Sequence, residues 1–306
     1  MLRRSKTELD RPVLDGMFVP CITPFTRAGE LDIRGLGACV RFWLDEGVSG
    51  LAPCGSNGEA AYLSRQERAK VIESVMDEVD GRVPVVAGTG SMSTRETIAF
   101  TKDASDLNVD AALVVTPFYY KLSNEEIREH YRLVSEAVDI PIVVYNVPKF
   151  TGFSLEPVLV NRLATENEKI IGIKDSSGNV GTITEIIRLA RDKLTVLAGT
   201  ADVALPALLS GGRGAVLAVA NVFPDLCSRL YEAFKEARYE EASRLQSLVS
   251  YANEVLVKRF NQISAIKEAM KLKGLSSGYP RRPALPLSSK DREIIKKMMS
   301  EIDQLT

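Results

Sequence analysis

The segments PIVVYNVP (141–148) and IIGIKDSS (170–177) show the pattern that decides the fold of this 306-residue chain. Both are short runs rich in Val and Ile, in which apolar and polar residues do not alternate. A strand buried on both faces of a parallel sheet has this composition. Six more runs of the same kind occur, at residues 17–25, 50–54, 84–90, 111–117, 194–200 and 214–222. The chain therefore repeats one strand-like unit eight times.

Amphipathic segments, whose apolar residues have helical spacing, separate these runs. Three of them open with a capping-box pattern, because Ser64, Ser93 and Ser123 each precede a glutamate by three residues. Eight strands alternating with helices predict an α/β protein folded as a closed parallel (β/α)8 barrel, or TIM barrel. The alternative, a doubly wound open sheet, is disfavoured because no GxGxxG loop follows the first strand.

The C-terminal part of the chain has an almost wholly helical pattern. Residues 224–260 form one long helical stretch, in which we expect a break near Ser250. Further helical segments lie on either side of a loop rich in Gly, Pro and Ser (274–289). We therefore predict a barrel catalytic domain at residues 14–235 and a helical C-terminal extension at residues 236–306 that packs on it.

Composition and charge argue against several classes of protein. The 39 Lys and Arg residues nearly balance the 40 Asp and Glu residues, which gives no electrostatic case for nucleic acid or an anionic membrane as a partner. No apolar run approaches the ~18 residues of a membrane span. The N-terminus is basic at first but lacks an apolar segment and contains Glu8 and Asp10, which argues against a targeting signal. We expect a cytoplasmic protein.

Cysteine and histidine do not form the patterns that bind metals. None of the four cysteines belongs to a CxxC pair, so we expect buried, reduced thiols. The one histidine, His130, has charged neighbours in EEIREHYRLV and is predicted to lie on a helix surface. A zinc-dependent aldolase normally needs several imidazoles, and a Ser-His-Asp hydrolase needs one in its site. The sequence therefore predicts no metal and no cofactor.

Lys174 and Tyr145 lie near the C-terminal ends of the sixth and fifth predicted strands, where a (β/α)8 barrel has its active site. A lysine is costly to bury there as a cation, and a neutral amine attacks a ketone carbonyl to give a Schiff base. A tyrosine on the neighbouring strand can exchange protons with the intermediates. The alternatives are a buried Lys174–Asp175 ion pair and a tyrosine that only packs.

The segment CGSNGEA (54–60) follows the second predicted strand. Its two glycines permit unusual backbone dihedrals, and consecutive N–H groups in such a loop can bind an anion. Gly55 allows close approach of the backbone, while Ser56 and Asn57 add side-chain donors, so a substrate carboxylate would fit. The alternative is an ordinary turn.

Four segments together resemble one family. GSNGE (55–59), TPFYY (116–120), YNVP (145–148) and GIKD (172–175) are similar in order, spacing and position to motifs of the dihydrodipicolinate synthase / N-acetylneuraminate lyase family. The resemblance runs from about residue 14 to the C-terminal helices. It implies a Schiff-base (class I) aldolase or lyase that acts on pyruvate or another small 2-oxo acid.

The resemblance also implies roles for individual residues. Lys174 would form the Schiff base and Tyr145 would relay protons. Ser56 would hydrogen-bond Tyr145 and, with the backbone of Asn57, would hold the oxo-acid carboxylate. Tyr119 matches a tyrosine that often reaches into a neighbouring subunit's site, so a homo-oligomer, dimer or tetramer, is expected.

Further positions concern the substrate. Val216, on the last strand, would line the pyruvate pocket, and Ser176 could contact the region of the C4 hydroxyl. The synthases carry an arginine two residues beyond YNVP for the carboxylate of aspartate semialdehyde, but Phe150 stands there and cannot form that salt bridge. Lys149 is adjacent and is expected to point elsewhere. GSNGE and GIKDSSG resemble more closely 4-hydroxy-2-oxoglutarate and 2-keto-3-deoxy-sugar-acid aldolases.

Three hypotheses about function follow. The leading one is reversible aldol cleavage of a 4-hydroxy-2-oxo acid or 2-keto-3-deoxy sugar acid through a Lys174 Schiff base. The alternative is a synthase that condenses pyruvate with aspartate semialdehyde and uses another cation in place of the missing arginine. A remote third is a barrel that binds an oxo acid without turnover. A phosphate-binding barrel enzyme has only GTADVA (199–204) in its favour.

Overall fold

Eight parallel strands surround the centre of the computed structural model, which describes residues 12–306. They are β1 (Gly16–Val19), β2 (Gly50–Leu51), β3 (Val86–Gly88), β4 (Ala111–Val115), β5 (Ile142–Asn146), β6 (Ile170–Asp175), β7 (Thr195–Ala198) and β8 (Gly214–Val216). Their order is β2-β1-β8-β7-β6-β5-β4-β3, and a parallel bridge between Leu51 and Val85 joins the two ends. The predicted (β/α)8 barrel is therefore confirmed. Residues 1–11, considered above for a targeting signal, lie outside the described residues.

Twelve helices of the described chain cover and extend the barrel. They are α1 (Ile33–Asp45), α2 (Arg65–Val79), α3 (Thr94–Asp106), α4 (Asn124–Glu136), α5 (Pro148–Thr151), α6 (Pro157–Glu166), α7 (Val180–Ala190), α8 (Ala204–Leu209), α9 (Pro224–Lys235), α10 (Tyr239–Asn253), α11 (Gln262–Leu272) and α12 (Ser289–Leu305). Ser64 and Ser123 form the predicted capping boxes, and Ser93 accepts the N-cap bond from the backbone of Glu96. Within residues 12–306 we find no helix both long and apolar enough to cross a membrane.

The strands divide the core into two parts, because successive side chains on a strand point to opposite faces. An inner cluster fills the barrel and includes Phe18, Val143 and Leu197. A larger outer cluster, which includes Trp43 and Leu230, joins the strands to the helices. All four cysteines are buried and unpaired, as predicted.

The break in the C-terminal helical stretch lies at residues 236–238, between α9 and α10, and not near Ser250. Ala237 has a left-handed backbone (φ 56°), and its N–H donates to the carbonyl of Phe234, while that of Arg238 donates to Ala233. These two bonds form a Schellman motif, which ends a helix. Ser250 lies inside α10, which continues as a π-helical segment at Glu254–Arg259. The boundary at residue 236 between barrel and extension stays a prediction.

His130 is buried, so its predicted position on a helix surface is wrong. It lies on the inward stripe of α4 with Ile127 and Val134, at the three- and four-residue spacing of one helix face. Its Nδ1 is 2.9 Å from the hydroxyl of Thr94, and burial lowers the pKa of the imidazole to about 4. Charged neighbours in the sequence face other sides of the helix and hide this stripe from a local inspection.

Candidate active site

Lys174 and Tyr145 are direct neighbours across β5 and β6, where they form a register pair. Both side chains are buried, and the Lys174 ammonium nitrogen is 4.3 Å from the centre of the Tyr145 ring. Both strands end one residue later, so the pair lies at the C-terminal end of the barrel. The amine thus lies over the face of the ring, and a substrate bound between it and the phenol hydroxyl could carry a proton from one to the other.

The next register pair is Asn146 and Asp175. Their side chains share one face of the two strands, the face opposite to that of Tyr145 and Lys174. The Asn146 amide nitrogen donates to the Asp175 carboxylate at 2.6 Å, and the backbone N–H of Ser177 donates to its other oxygen at 3.0 Å. The Asn146 oxygen accepts from the backbone N–H of Leu155 at 3.0 Å. The Asp175 carboxylate is thus engaged away from Lys174, which disfavours the predicted alternative of an ion pair between those two residues.

The loop at residues 54–59 brings Ser56 to the catalytic pair. The hydroxyl oxygens of Ser56 and Tyr145 are 3.4 Å apart. The left-handed residues of the loop are Cys54 (φ 57°) and Glu59 (φ 55°) rather than its two glycines. The prediction that those glycines supply the unusual dihedrals is therefore wrong, although the loop has the sharp backbone that was expected.

The predicted close backbone approach occurs at Gly58 in the motif, where a Cβ would lie 3.0 Å from the Cys21 carbonyl oxygen and 3.1 Å from the Cys54 nitrogen, and it is closer still at Gly88 on β3. A Cβ atom at Gly88 would lie 2.0 Å from the carbonyl oxygen of Cys54, so only glycine fits there. At Gly55 a Cβ would meet nothing nearer than 3.9 Å. The loop thus packs its backbone directly against the end of the neighbouring strand.

Arg68 holds this contact together, although no motif in the sequence singles it out. Its buried guanidinium donates to the carbonyls of Gly88 (2.8 Å), Ala60 (3.0 Å) and Cys54 (3.5 Å) and lies over the Phe100 ring. Burial lowers the pKa of the guanidinium. One cation therefore joins both ends of the loop to β3.

A cavity of about 750 Å³ opens at this end of the barrel. Tyr145 belongs both to its wall and to the inner barrel cluster, which also contains Val216. Gly55 and Ser56 line one side of the cavity, with Phe150 on another. Val216 is buried in that cluster, and its predicted role in the pyruvate pocket stays a prediction.

Lys149 lines the same cavity, so the expectation that it points elsewhere is wrong. It belongs to the one-turn helix α5, and its ammonium donates to Gln262 Oε1 at 3.0 Å and to the carbonyl of Val257 at 3.3 Å. The Phe150 ring is 49% exposed and lies 5.4 Å from that ammonium. Partial burial lowers the pKa of Lys149. Gln262 also donates to Asn57 Oδ1 at 3.0 Å, which links this wall to the loop.

Five predicted site residues do not line this cavity within the single chain. Lys174 and Asn57 contact its wall through Tyr145 and Gln262, and the others are Val216, Tyr119 and Ser176. Tyr119 is 78% exposed and packs edge-to-face on Tyr120, while the preceding Phe118 lines the cavity. Its predicted role in a neighbouring subunit's site stays a prediction. The Ser176 hydroxyl is buried without a hydrogen-bond partner, and a Cβ at Gly199 would lie 2.0 Å from it. Its predicted contact with the substrate stays a prediction.

Comparison with known proteins agrees with this geometry. The model of the dihydrodipicolinate synthetase family matches residues 13–302. A 4-hydroxy-tetrahydrodipicolinate synthase from Methanothrix thermoacetophila is 40% identical over 292 residues, which cover 95% of this chain and 98% of that protein.

Two solved structures share the whole fold. Dihydrodipicolinate synthase from Thermotoga maritima is 31% identical, with a TM-score of 0.91 over 96% of this chain and 100% of that one. YagE, a prophage protein of the same family from E. coli K12 in complex with pyruvate, is 32% identical, with a TM-score of 0.91 over 95% and 99%. The chain therefore belongs to the dihydrodipicolinate synthetase family and is a class I, pyruvate-dependent aldolase or lyase.

Proposed function

We propose that this chain condenses pyruvate, held as a Schiff base on Lys174, with an aldehyde that carries a carboxylate group. Aspartate semialdehyde is the aldehyde that the alternative hypothesis named, and the name of the Methanothrix relative supports that alternative over aldol cleavage. The observation that carries the proposal is the register pair of Lys174 and Tyr145, with the Ser56 hydroxyl 3.4 Å from the phenol.

The proposed reaction begins when the Lys174 amine adds to C2 of pyruvate and the carbinolamine loses water to give an iminium. Loss of a C3 proton gives an enamine, and its C3 attacks the aldehyde carbon to form the new C–C bond. The aldehyde oxygen takes up a proton, and water or a substrate amine then displaces Lys174. Tyr145 carries these protons and Ser56 orients its hydroxyl, while the N–H of Asn57 binds the pyruvate carboxylate. Placement of the phenol matters more than its acidity, since misplacement by about 1 Å can cost ~100-fold.

Lys149 supplies the cation that a synthase needs in the absence of the arginine. Its ammonium lies at the cavity wall and bonds only neutral acceptors there, the side chain of Gln262 and the carbonyl of Val257. Lys258 also lines the cavity but bonds Asp202 at 2.8 Å, and Arg68 is engaged by backbone carbonyls. A carboxylate would attract this ammonium as a full opposite charge, which its present neutral acceptors do not.

A second candidate is the cleavage of a 4-hydroxy-2-oxo acid to pyruvate and an aldehyde. The same lysine and tyrosine would catalyse it, because cleavage is the reverse of the aldol condensation. The specific observation in its favour is the half-exposed ring of Phe150 at the cavity wall. An apolar ring at that position suits a substrate without a second carboxylate, such as a 2-keto-3-deoxy sugar acid. The two candidates share the Schiff base and differ only in the aldehyde.

The assembly and location of the protein are proposed on separate grounds. Tyr119 and Tyr120 form an exposed aromatic pair next to the cavity wall, which supports a homo-oligomer, dimer or tetramer, through that surface. Four unpaired cysteines support a reducing compartment, the cytoplasm. Light scattering of the wild type and of Tyr119→Asp would test the first; an unchanged mass for the variant would contradict it.

Mass spectrometry after incubation with pyruvate and sodium borohydride tests the shared chemistry. We expect a covalent adduct on the wild type, none on Lys174→Ala, and slow formation on Tyr145→Phe. Rates of aspartate semialdehyde consumption and of pyruvate release from a 2-keto-3-deoxy sugar acid then decide between the candidates. A larger kcat/KM for cleavage would overturn the synthase. A folded wild type without an adduct would leave a barrel that binds an oxo acid without turnover.

A further inference from the structure

The loop that carries Ser56 and Asn57 has an unusual backbone at both ends. Cys54 and Glu59 are left-handed residues other than glycine, a strained backbone conformation that L side chains rarely adopt. Such residues persist when surrounding contacts fix them. Arg68 fixes the end at Cys54, as described above, so the contacts at Glu59 decide whether the other end is fixed as well.

Glu59 is held by Lys267, which belongs to helix α11 of the C-terminal part, 208 residues further along the chain. Only 2% of Glu59 and 1% of Lys267 is exposed. The Lys267 ammonium donates to the Glu59 carboxylate and to the carbonyls of Thr23 (2.7 Å) and Tyr279 (2.8 Å). All three donor positions of the ammonium are therefore used.

Two further contacts tie the same part of the chain to the loop. The backbone N–H of Arg281 donates to the second oxygen of Glu59 at 2.8 Å, and Gln262 donates to Asn57 Oδ1 at 3.0 Å. On the barrel side, the Thr23 hydroxyl donates to the carbonyl of Gly58 at 2.7 Å. Three consecutive loop residues, 57 to 59, are thus held from outside the loop.

A buried ion pair of this kind is poorly explained as a source of stability. Desolvation of both charges largely offsets their attraction, and a pair of packed apolar residues often stabilises a protein as well or better. A geometric role explains the arrangement better, because the bonds of Lys267 fix the direction of the Glu59 side chain and hence the left-handed end of the loop.

We infer that Lys267 and Glu59 are positioning residues for the pyruvate carboxylate. Lys267 holds Glu59, and Glu59 holds the loop in the form in which the Ser56 hydroxyl and the Asn57 N–H face the carboxylate. The inference rests on the proposed function, because it assigns to the C-terminal part the conformation of the pyruvate-binding loop. Neither residue touches the substrate.

Concentration dependence of borohydride trapping tests this inference on Lys267→Met and Glu59→Gln, with the wild type alongside. Each variant should raise the pyruvate concentration for half-maximal trapping by about ten- to a hundredfold, the range for weakening a hydrogen bond to a charged group. At saturating pyruvate the trapped fraction should return to the wild-type value. Ile295→Ala, a truncation of a fully buried side chain in α12, is the control for general destabilisation and should change half-saturation less than about threefold.

A double-mutant cycle with Ser56→Ala separates positioning from a merely structural role. Independent effects multiply, so the double variant would then show the product of the two single fold-changes in half-saturation. If Lys267 acts through the loop, the fold-change of the double variant should be smaller than the product of those of Lys267→Met and Ser56→Ala. Half-saturation equal to that of the wild type in a folded Lys267→Met protein would overturn the inference and leave the Schiff base intact. If that variant does not fold, the result for Glu59→Gln decides. A wild type that traps no pyruvate would refute the proposed function and this inference together.

Discussion

Replacement of Asn146 by alanine should slow the chemistry at Lys174 although neither residue's side chain touches the other. Asn146 and Asp175 lie one position beyond the Tyr145–Lys174 pair. They bond each other on the other face of β5 and β6. Their bond fixes the two strands relative to each other where the reactive side chains emerge. Loss of the Asn146 amide should let the strands shift and should change the distance from ammonium to phenol.

The stability cost follows from the bonds that are lost. The bond to the buried Asp175 carboxylate is charge-assisted and is worth about 1.5–3 kcal/mol. The backbone N–H of Leu155 loses its buried acceptor, at a cost of about 1–3 kcal/mol. We therefore expect the free energy of unfolding to fall by roughly 3–5 kcal/mol. A misplacement of about 1 Å would in addition slow adduct formation on the order of 100-fold.

Asn221 provides the matched control. It is a fully buried asparagine that accepts from the backbone N–H of Ile22 at 3.1 Å and donates to the carbonyls of Pro20 (3.0 Å) and Ala218 (3.1 Å), all neutral partners. Asn221→Ala should lose comparable stability in urea titrations but should keep the trapping rate within about threefold. A wild-type trapping rate in folded Asn146→Ala, or equal slowing in both variants, would refute the reasoning.

Three more outcomes are expected. Lys149→Met should raise KM for aspartate semialdehyde about ten- to a hundredfold and leave pyruvate trapping unchanged, as two-substrate kinetics would show; an unchanged KM would remove Lys149 from the site. Gly88→Ala should lower the free energy of unfolding by about 1–3 kcal/mol in urea, because its Cβ would overlap the Cys54 carbonyl; an unaltered stability would show that the loop can move. Burial lowers the pKa of His130 from 6.5 to about 4, so its contribution to the free energy of unfolding is present above pH 6.5 and is lost as the pH drops to about 4. In His130→Gln the free energy of unfolding should therefore fall by up to ~3 kcal/mol less over that pH range than in the wild type. Parallel curves of unfolding free energy against pH would contradict this.

The fold was predictable from the sequence because its signals are local. Each strand of a parallel barrel is buried on both faces, so runs such as 141–148 and 170–177 identify strands without any knowledge of their neighbours. The positions of Lys174 and Tyr145 at strand ends then brought them together by topology alone. Local signals failed where the partner is distant or masked, as for His130, whose inward stripe is hidden by charged neighbours, and for Ala237, whose Schellman motif lacks the usual glycine.

The contacts that fix the site are mostly invisible to sequence reasoning. Lys267 and Glu59 are 208 residues apart, and nothing around Lys267 distinguishes it from a surface lysine of an amphipathic helix. Arg68 lies in an ordinary helical segment, and its carbonyl partners are set by the path of the loop. Lys149 was expected to point away from the cavity. The sequence around it does not reveal its acceptors, which belong to residues 257 and 262 and reach the cavity only when the C-terminal part has folded.

The same wall of the cavity bears on the choice between the two aldehydes. Lys149 now donates to two neutral acceptors, so a substrate carboxylate would add an attraction between full opposite charges that neither acceptor supplies. A neutral sugar hydroxyl would replace one neutral bond by another and would gain little. Phe150 offers apolar contact to either substrate and therefore discriminates weakly. Charge at Lys149 is the stronger of the two effects, which favours an aldehyde that carries a carboxylate over a neutral sugar aldehyde.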